Sequence, residues 1–86
     1  MGFLLDIRPY FTACFRAHMI NFGGFDLWSG ADVQNVWQMV FDRVSAGEMP
    51  PPSTEEGACP EGGWDELTRN QFLRDFQAWR DGQFQP

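Results

Sequence analysis

The sequence predicts an all-α domain of three to four helices. Apolar residues recur at helical spacing in three segments, near residues 8–22, 30–46 and 68–81. Residues 48–63, EMPPPSTEEGACPEGG, contain four prolines and three glycines, a composition that excludes helix and strand. No stretch alternates convincingly with a period of two, as an exposed strand would. We therefore expect residues 1–86 to form a single helical domain with one long Pro/Gly-rich loop.

Each predicted helix has its own start and stop signals in the sequence. The start signals are a proline suited to the first helical position, or a hydroxyl cap with a polar partner three residues later: Pro9, Ser29 with Asp32, and Thr68 with Gln71. The stop signals are glycines, which suit the C-terminal cap of a helix: Gly23 with Gly24, Gly47, and Gly82.

Aromatic side chains are abundant enough to fill the core of so short a chain. A domain of this size buries only about 60–65% of its unfolded surface, so bulky side chains are needed. The chain has nine Phe, four Trp and one Tyr in 86 residues. Each buried ring removes roughly 150–250 Å² from water. We predict one aromatic cluster from all three helices: Phe11, Phe15, Trp37, Phe41, Phe72, Phe76 and Trp79.

The charge of the chain excludes two classes of partner. Twelve Asp and Glu stand against six Arg, with no Lys, for a formal net charge of −6. Binding to nucleic acid requires a basic face that displaces counterions, and an anionic membrane surface would repel the chain. A protein partner with a basic or mixed surface is compatible with this charge.

The two cysteines and the N-terminal residues bear on the cellular compartment. Cys14 and Cys59 could form one disulfide or stay reduced, and we favour the reduced state. The start of the chain, MGFLLDIRPYF, has no basic segment before its apolar run, and no run approaches the ~20 apolar residues of a membrane span. If Met1 is the natural start, the expected location is cytoplasmic.

A possible ligand set is present, but it is incomplete for zinc. His18, Met49 and Cys14 offer imidazole, thioether and thiolate, which suit Cu(I) or iron better than Mg²⁺ or Ca²⁺. A structural zinc normally takes four Cys or His ligands, and this chain has three such residues. Our prediction is that the protein binds no metal or other cofactor and has no catalytic residues. The alternative is a haem or copper site at these three residues.

Three segments, in order, resemble parts of the cytochrome c domains found in bacterial multidomain proteins. Residues 6–11, DIRPYF, look like the lead-in to the haem-attachment motif, and residues 47–51, GEMPP, look like the loop whose methionine is the distal iron ligand. Residues 67–82, which end in Trp79 and Gly82, look like the C-terminal helix of that family. The resemblance spans roughly residues 6–82 and implies a cytochrome c-like fold.

The attachment motif itself departs from the family pattern. In the usual spacing, the C-x-x-C-H window falls on residues 15–19, FRAHM, which contain no cysteine. A shift by one residue recovers Cys14 and His18 but rotates the helical register by about 100°. The chain is more similar to a branch that lacks haem and carries a segment like residues 25–28, FDLW. The abundant aromatic side chains fit this interpretation, because a lost macrocycle leaves space that side chains must refill.

The resemblance and the residues together lead to a functional hypothesis. We expect a non-catalytic accessory or protein-interaction module, similar to a cytochrome c that has lost haem. Its partner-binding residues are predicted in and beside the long loop, because loops on rigid scaffolds concentrate binding residues: Met49, Pro51, Glu55, Glu56, Trp64 and Trp28. The alternative is a haem- or copper-binding electron-transfer domain that uses His18 and Met49. A third hypothesis is an enzyme subunit that needs a partner chain.

Overall fold

The described part of a computed structural model covers residues 1–51, 59–60 and 62–86, and it contains helices and no strand. This confirms the predicted all-α class. The N-terminal segment forms a π-helical turn, Phe3–Ile7, and a 3₁₀ turn, Arg8–Tyr10. Four α-helices follow: α1 Ala13–Gly23, α2 Gly30–Asn35, α3 Trp37–Ser45 and α4 Glu66–Asp81. Residues 52–58 and 61 of the predicted loop lie outside the described residues.

The first α-helix begins later than predicted. Pro9 lies in the 3₁₀ turn, and the N-cap of α1 is Thr12, whose Oγ1 accepts a hydrogen bond from the backbone N–H of Phe15 at 3.1 Å. A hydroxyl cap satisfies one of the free N–H groups of the first turn, which proline cannot do. The predicted glycine stop is confirmed, because Gly24 caps the helix with a left-handed φ of 75°.

The predicted second helix is two helices. The chain breaks at Val36, with φ −113° and ψ 21°, so α2 ends at Asn35 and α3 begins at Trp37. The Ser29 cap is confirmed, since its Oγ accepts from the N–H of Asp32 at 3.2 Å. The carboxylate of Asp32 accepts instead from the backbone N–H of Asp26 at 3.0 Å, and so ties the helix start to the preceding segment.

The last helix begins two residues before the predicted start. The N-cap is Asp65, whose carboxylate accepts a hydrogen bond from the N–H of Thr68 at 2.7 Å. Thr68 therefore lies inside the first turn of α4. Hydrogen bonding from the side chain and the backbone N–H of Thr68 holds the pKa of Asp65 below its ordinary value. The helix ends at Gly82 as predicted.

The core is one aromatic and aliphatic cluster, and the predicted rings belong to it. Phe11 packs on Phe15 and on Phe72, with ring centroids 5.8 and 5.7 Å apart. The cluster continues from Phe72 through Phe76 to Trp37, at 4.8 and 5.1 Å. The prediction is confirmed for six of the seven rings; Phe41 is only partly buried and stacks on the edge of the cluster, against Trp37.

The N-terminal segment is tied to α4 and to the C-terminus. The indole N–H of Trp79 and the backbone N–H of Phe3 both donate to the carbonyl of Gln85, at 2.8 and 3.0 Å. The Tyr10 hydroxyl donates to Asp75 at 2.7 Å. Burial, together with this bond, raises the pKa of Tyr10 to about 12. These contacts hold both ends of the chain on one side of the last helix.

The preference for reduced cysteines is corrected by the structure. Cys14, in the first turn of α1, is bonded to Cys59 in a disulfide that spans 45 positions of sequence, with the two Cα atoms 5.8 Å apart. Cys59 is buried, with 4% of its surface exposed, and lies against the aromatic core. Sequence composition carries no information on this proximity, which arises only when α1 packs against the segment before Trp64. The bridge fastens the far end of the loop to α1.

Candidate functional site

A cleft of about 440 Å³ opens between the C-terminal half of α1, the helix α3 and the segment that follows α3. Its position depends on the Gly24 cap, which turns the chain after α1, and on the end of α3. Nine residues line it, most of them apolar or sulfur-containing: His18, Met19, Phe22, Gly23, Met39, Arg43, Glu48, Met49 and Pro51. The cleft is concave, and it combines apolar and sulfur-containing side chains with three polar ones, His18, Arg43 and Glu48.

The cleft brings His18 and Met49 together, the two residues predicted as alternative ligands. His18 comes from α1, and Met49 from the segment after α3. Met49 is 4% exposed, whereas His18 is half-buried. Cys14, the third residue of that set, is held in the disulfide and does not line the cleft. The cleft therefore contains imidazole and thioether groups without a thiolate.

Two more methionines line the same cleft, and neither was among the predicted ligands. Met19 is buried on α1, and Met39 is half-buried on α3. Three of the four methionines of the chain and its only histidine thus meet at one cavity. In the sequence, only the helical positions of Met19 and Met39 bear on whether they meet at a cavity. To predict the meeting, one would also have to know how α1 is rotated against α3.

Gly23 allows Met19 to lie close to the wall of the cleft. A Cβ atom at position 23 would stand 2.7 Å from the Met19 Cε atom and 2.9 Å from the Phe25 ring. Carbon atoms in contact are normally about 3.5–4.0 Å apart, so a side chain at Gly23 would displace the thioether of Met19. The glycine is needed here for space in addition to its place beside the helix cap.

The rim of the cleft is apolar on one side and charged on the other. Phe22 is 74% exposed, whereas the phenylalanines of the core are buried. The centroid of its ring lies 4.7 Å from that of the His18 ring. Arg43 and Glu48, both exposed, supply one charge of each sign.

The residues predicted to bind a partner do not form one surface. Met49 and Pro51 line the cleft and are buried. Trp64 is half-buried in the aromatic cluster, with its ring 4.8 Å from Phe72. Trp28 lies beside a separate shallow pocket, next to Arg8. Glu55 and Glu56 fall outside the described residues, so the acidic part of the prediction stays a prediction.

The FDLW segment, residues 25–28, has a structural role. Phe25 and Leu27 are buried in the core, while the carboxylate of Asp26 binds the Arg16 guanidinium through two hydrogen bonds, at 2.8 and 2.9 Å. The Arg16 and Arg8 guanidiniums lie over the Trp28 ring, 4.5 and 4.6 Å from its centroid. Asp26 and Arg16 were not among the predicted functional residues, and their contacts anchor the turn between α1 and α2.

Asp26 should make part of the stability of the protein depend on acid pH. The hydrogen bonds from Arg16 and from the Trp28 backbone lower the pKa of Asp26 to about 2. A carboxyl group whose pKa is depressed by folding stabilises the folded state above its unfolded pKa, near 4, and this contribution is lost as the pH falls towards 2. We expect Asp26→Asn to destabilise the protein at pH 6. The difference in unfolding free energy between the variant and wild type, measured with urea, should be smaller at pH 2.

Arg16→Gln is the matched variant for this test, because it removes the other half of the same ion pair. It should lose a large part of the acid dependence, but less than Asp26→Asn, because the Trp28 backbone N–H still donates to the Asp26 carboxylate. An equal difference between wild type and Asp26→Asn at pH 6 and pH 2 would contradict the role assigned to this carboxylate.

Comparison of the chain with protein-family models, with curated proteins and with solved structures finds no match. Within the described residues, no helix is long and apolar enough to cross a membrane. The same residues contain no group of three or more His, Cys, Asp and Glu side chains placed to hold a metal ion. Methionine is outside that set, so the thioethers of the cleft are a separate question.

Proposed function

We propose that this chain is a non-catalytic binding module that takes a protein partner at the cleft between α1 and α3. The observation that carries the proposal is the combination of a methionine-lined cavity of about 440 Å³ with an exposed phenylalanine, Phe22, on its rim. Methionine side chains are flexible and polarizable, and surfaces rich in them adapt to apolar partner side chains. The disulfide and the aromatic core supply a rigid scaffold behind the cleft.

The partner that fits this cleft presents an apolar side chain flanked by basic groups. The walls formed by Met39, Met49 and Phe22 suit an apolar anchor. The chain carries a net charge of −6, although the cleft itself has one charge of each sign, on Arg43 and Glu48. Charge complementarity steers association and rejects partners of like charge, so a basic surface is favoured over an acidic one or a nucleic acid.

One observation supports the haem-less part of the proposal. Cys14 is engaged in the disulfide, so it offers no thiol for a thioether bond to haem, and the residues do not fit covalent attachment. The cytochrome c resemblance stays a proposal on the sequence segments described above.

A pair of matched substitutions tests the docking site. Phe22 and Leu67 are equally exposed, at 74% and 76%, but only Phe22 lines the cleft. We expect Phe22→Ser to weaken capture of the partner from the native host by about tenfold or more, as loss of an apolar anchor does at an interface. Leu67→Ser should leave capture unchanged, and capture should weaken with added salt. Quantitative pull-down with immobilised protein measures both.

A second variant tests the contribution of the acidic loop. Replacing residues 53–58 by a short Gly-Ser link keeps both buried anchors, Pro51 and Cys59. Helical content should stay the same, while capture of a basic partner should fall.

Equal capture by the Phe22→Ser and Leu67→Ser variants would place the contact elsewhere and overturn the docking site.

The alternative function, a metal-binding electron-transfer domain, is favoured by one observation. His18 and Met49 line the same cleft although they lie on different segments of the chain. The sequence-based alternative required this proximity.

The compartment also remains a proposal. Disulfides persist in oxidising compartments and are rare in the reducing cytoplasm. The Cys14–Cys59 bridge therefore weighs against the predicted cytoplasmic location. We propose that the protein works where the bridge is kept oxidised, and trapping of free thiols in freshly lysed host cells would decide between the two locations.

A further inference from the structure

We propose that the cleft between α1 and α3 is a Cu(I) site, with the thioethers of Met19, Met39 and Met49 and the imidazole of His18 as ligands. The inference concerns the cavity that the proposed function uses for docking, but it makes an independent claim. It assigns an ion to the sulfur and imidazole donors of the wall, whereas docking assigns an apolar partner side chain to Phe22 and the adjoining methionine walls.

The donor set selects for one metal by its chemistry. Thioether sulfur is a soft, neutral ligand that favours Cu(I), and imidazole suits copper as well. Mg²⁺ and Ca²⁺ require several oxygen ligands, and the described lining has a single carboxylate, Glu48. Zinc prefers Cys and His in sets of three or four, and only one such residue lines the cleft.

The donors lie where the core borders the cleft. Met19 and Met49 are 7% and 4% exposed, and Met39 packs against the same core. All three also line the cleft with His18, so the cavity is bordered by three of the four methionines of the chain and its sole histidine. They come from three segments: α1 carries His18 and Met19, α3 carries Met39, and Met49 follows α3. Donors from separate segments can surround an ion.

The local structure also keeps Met19 at the cavity. Its Cε atom occupies the space that a side chain at Gly23 would need, and Gly23 itself lines the cleft. The Met19 sulfur is one bond from that atom. Substitution of Gly23 would therefore move this donor without changing its chemistry.

The experiment is a competition titration of the purified, disulfide-intact protein with Cu(I) under anaerobic conditions. Cu(I) is supplied as its acetonitrile complex, and a chromophoric Cu(I) chelator reports the free ion. We expect one equivalent to be bound, and each of Met19→Leu, Met39→Leu and Met49→Leu to lower the affinity by about tenfold or more. Leucine keeps the apolar volume, so folding, followed by circular dichroism, should be unchanged. X-ray absorption should show a first shell dominated by sulfur.

The controls separate this proposal from the docking proposal. Phe22→Ser removes the apolar rim but no donor, so it should keep the Cu(I) affinity of wild type while it loses partner capture. Met19→Leu, at the one cleft methionine that the docking proposal does not use as a wall, should show the reverse pattern: weaker Cu(I) binding with partner capture kept. Failure of wild type to compete with the chelator would overturn the copper site. So would unchanged affinity in the triple Met→Leu variant, which would show that the three thioethers do not hold the ion. Neither result affects the docking test.

Discussion

Replacing Trp79 by alanine is expected to destabilise the protein by about 3–5 kcal/mol, the usual cost of truncating a large buried aromatic side chain. Trp79 is 1% exposed and contacts three other rings: Phe3, Phe76 and Phe84. Its indole N–H also donates to the carbonyl of Gln85 at 2.8 Å. The substitution leaves a cavity and removes the side chain that joins α4 to both chain ends. A chain of 86 residues has a total stability of roughly 4–13 kcal/mol, so this loss is a large share of it.

Two variants on the same helix control this measurement by urea unfolding. Leu67→Ala, at a position 76% exposed, should change the free energy of unfolding by less than about 0.5 kcal/mol. Trp79→Phe keeps a ring but loses the hydrogen bond to Gln85, and it should cost about 1–2 kcal/mol. A cost below about 1 kcal/mol for Trp79→Ala would mean that the ring is not part of the core in solution.

The helical segments could be predicted from the sequence, but their ends could not. The periodicity of large apolar residues locates the helical segments because burial on one face requires it. The start of each helix depends on which side chain makes one short hydrogen bond, and several neighbours can do so. Thr12 and Asp65 cap where Pro9 and Thr68 were expected. The break at Val36 has no glycine or proline to announce it, since tertiary packing sets it.

The candidate site was predictable only in part. His18 and Met49 stand out in the sequence because a lone histidine and a Met-Pro-Pro turn are conspicuous. Met19 and Met39 look like ordinary apolar residues of two helices, and their meeting depends on how α1 faces α3. The disulfide was missed for the same reason: its two cysteines are 45 positions apart, and only the packed fold brings them together.

The Cys14–Cys59 disulfide should contribute about 4 kcal/mol to stability by the chain-entropy relation, because it closes a loop over 45 positions of sequence. The cross-link restricts the unfolded chain more than the folded one. A double Cys14→Ala, Cys59→Ala variant is therefore expected to unfold at a much lower urea concentration than wild type. The dependence of the unfolding free energy on urea should become steeper, since an unfolded chain without the cross-link exposes more surface.

Reductant supplies an internal control for this prediction, because it breaks the bridge without any substitution. Wild type treated with dithiothreitol should unfold at nearly the same urea concentration as the double variant, and the double variant should not respond to it. Removal of the bridge also frees the segment near Cys59 from α1, so Pro51 and Met49 would be held less firmly at the cleft. Partner capture should then weaken in reduced protein even where α4 and the aromatic cluster remain folded. A wild-type transition that is indifferent to reductant would show that the bridge does not stabilise the fold.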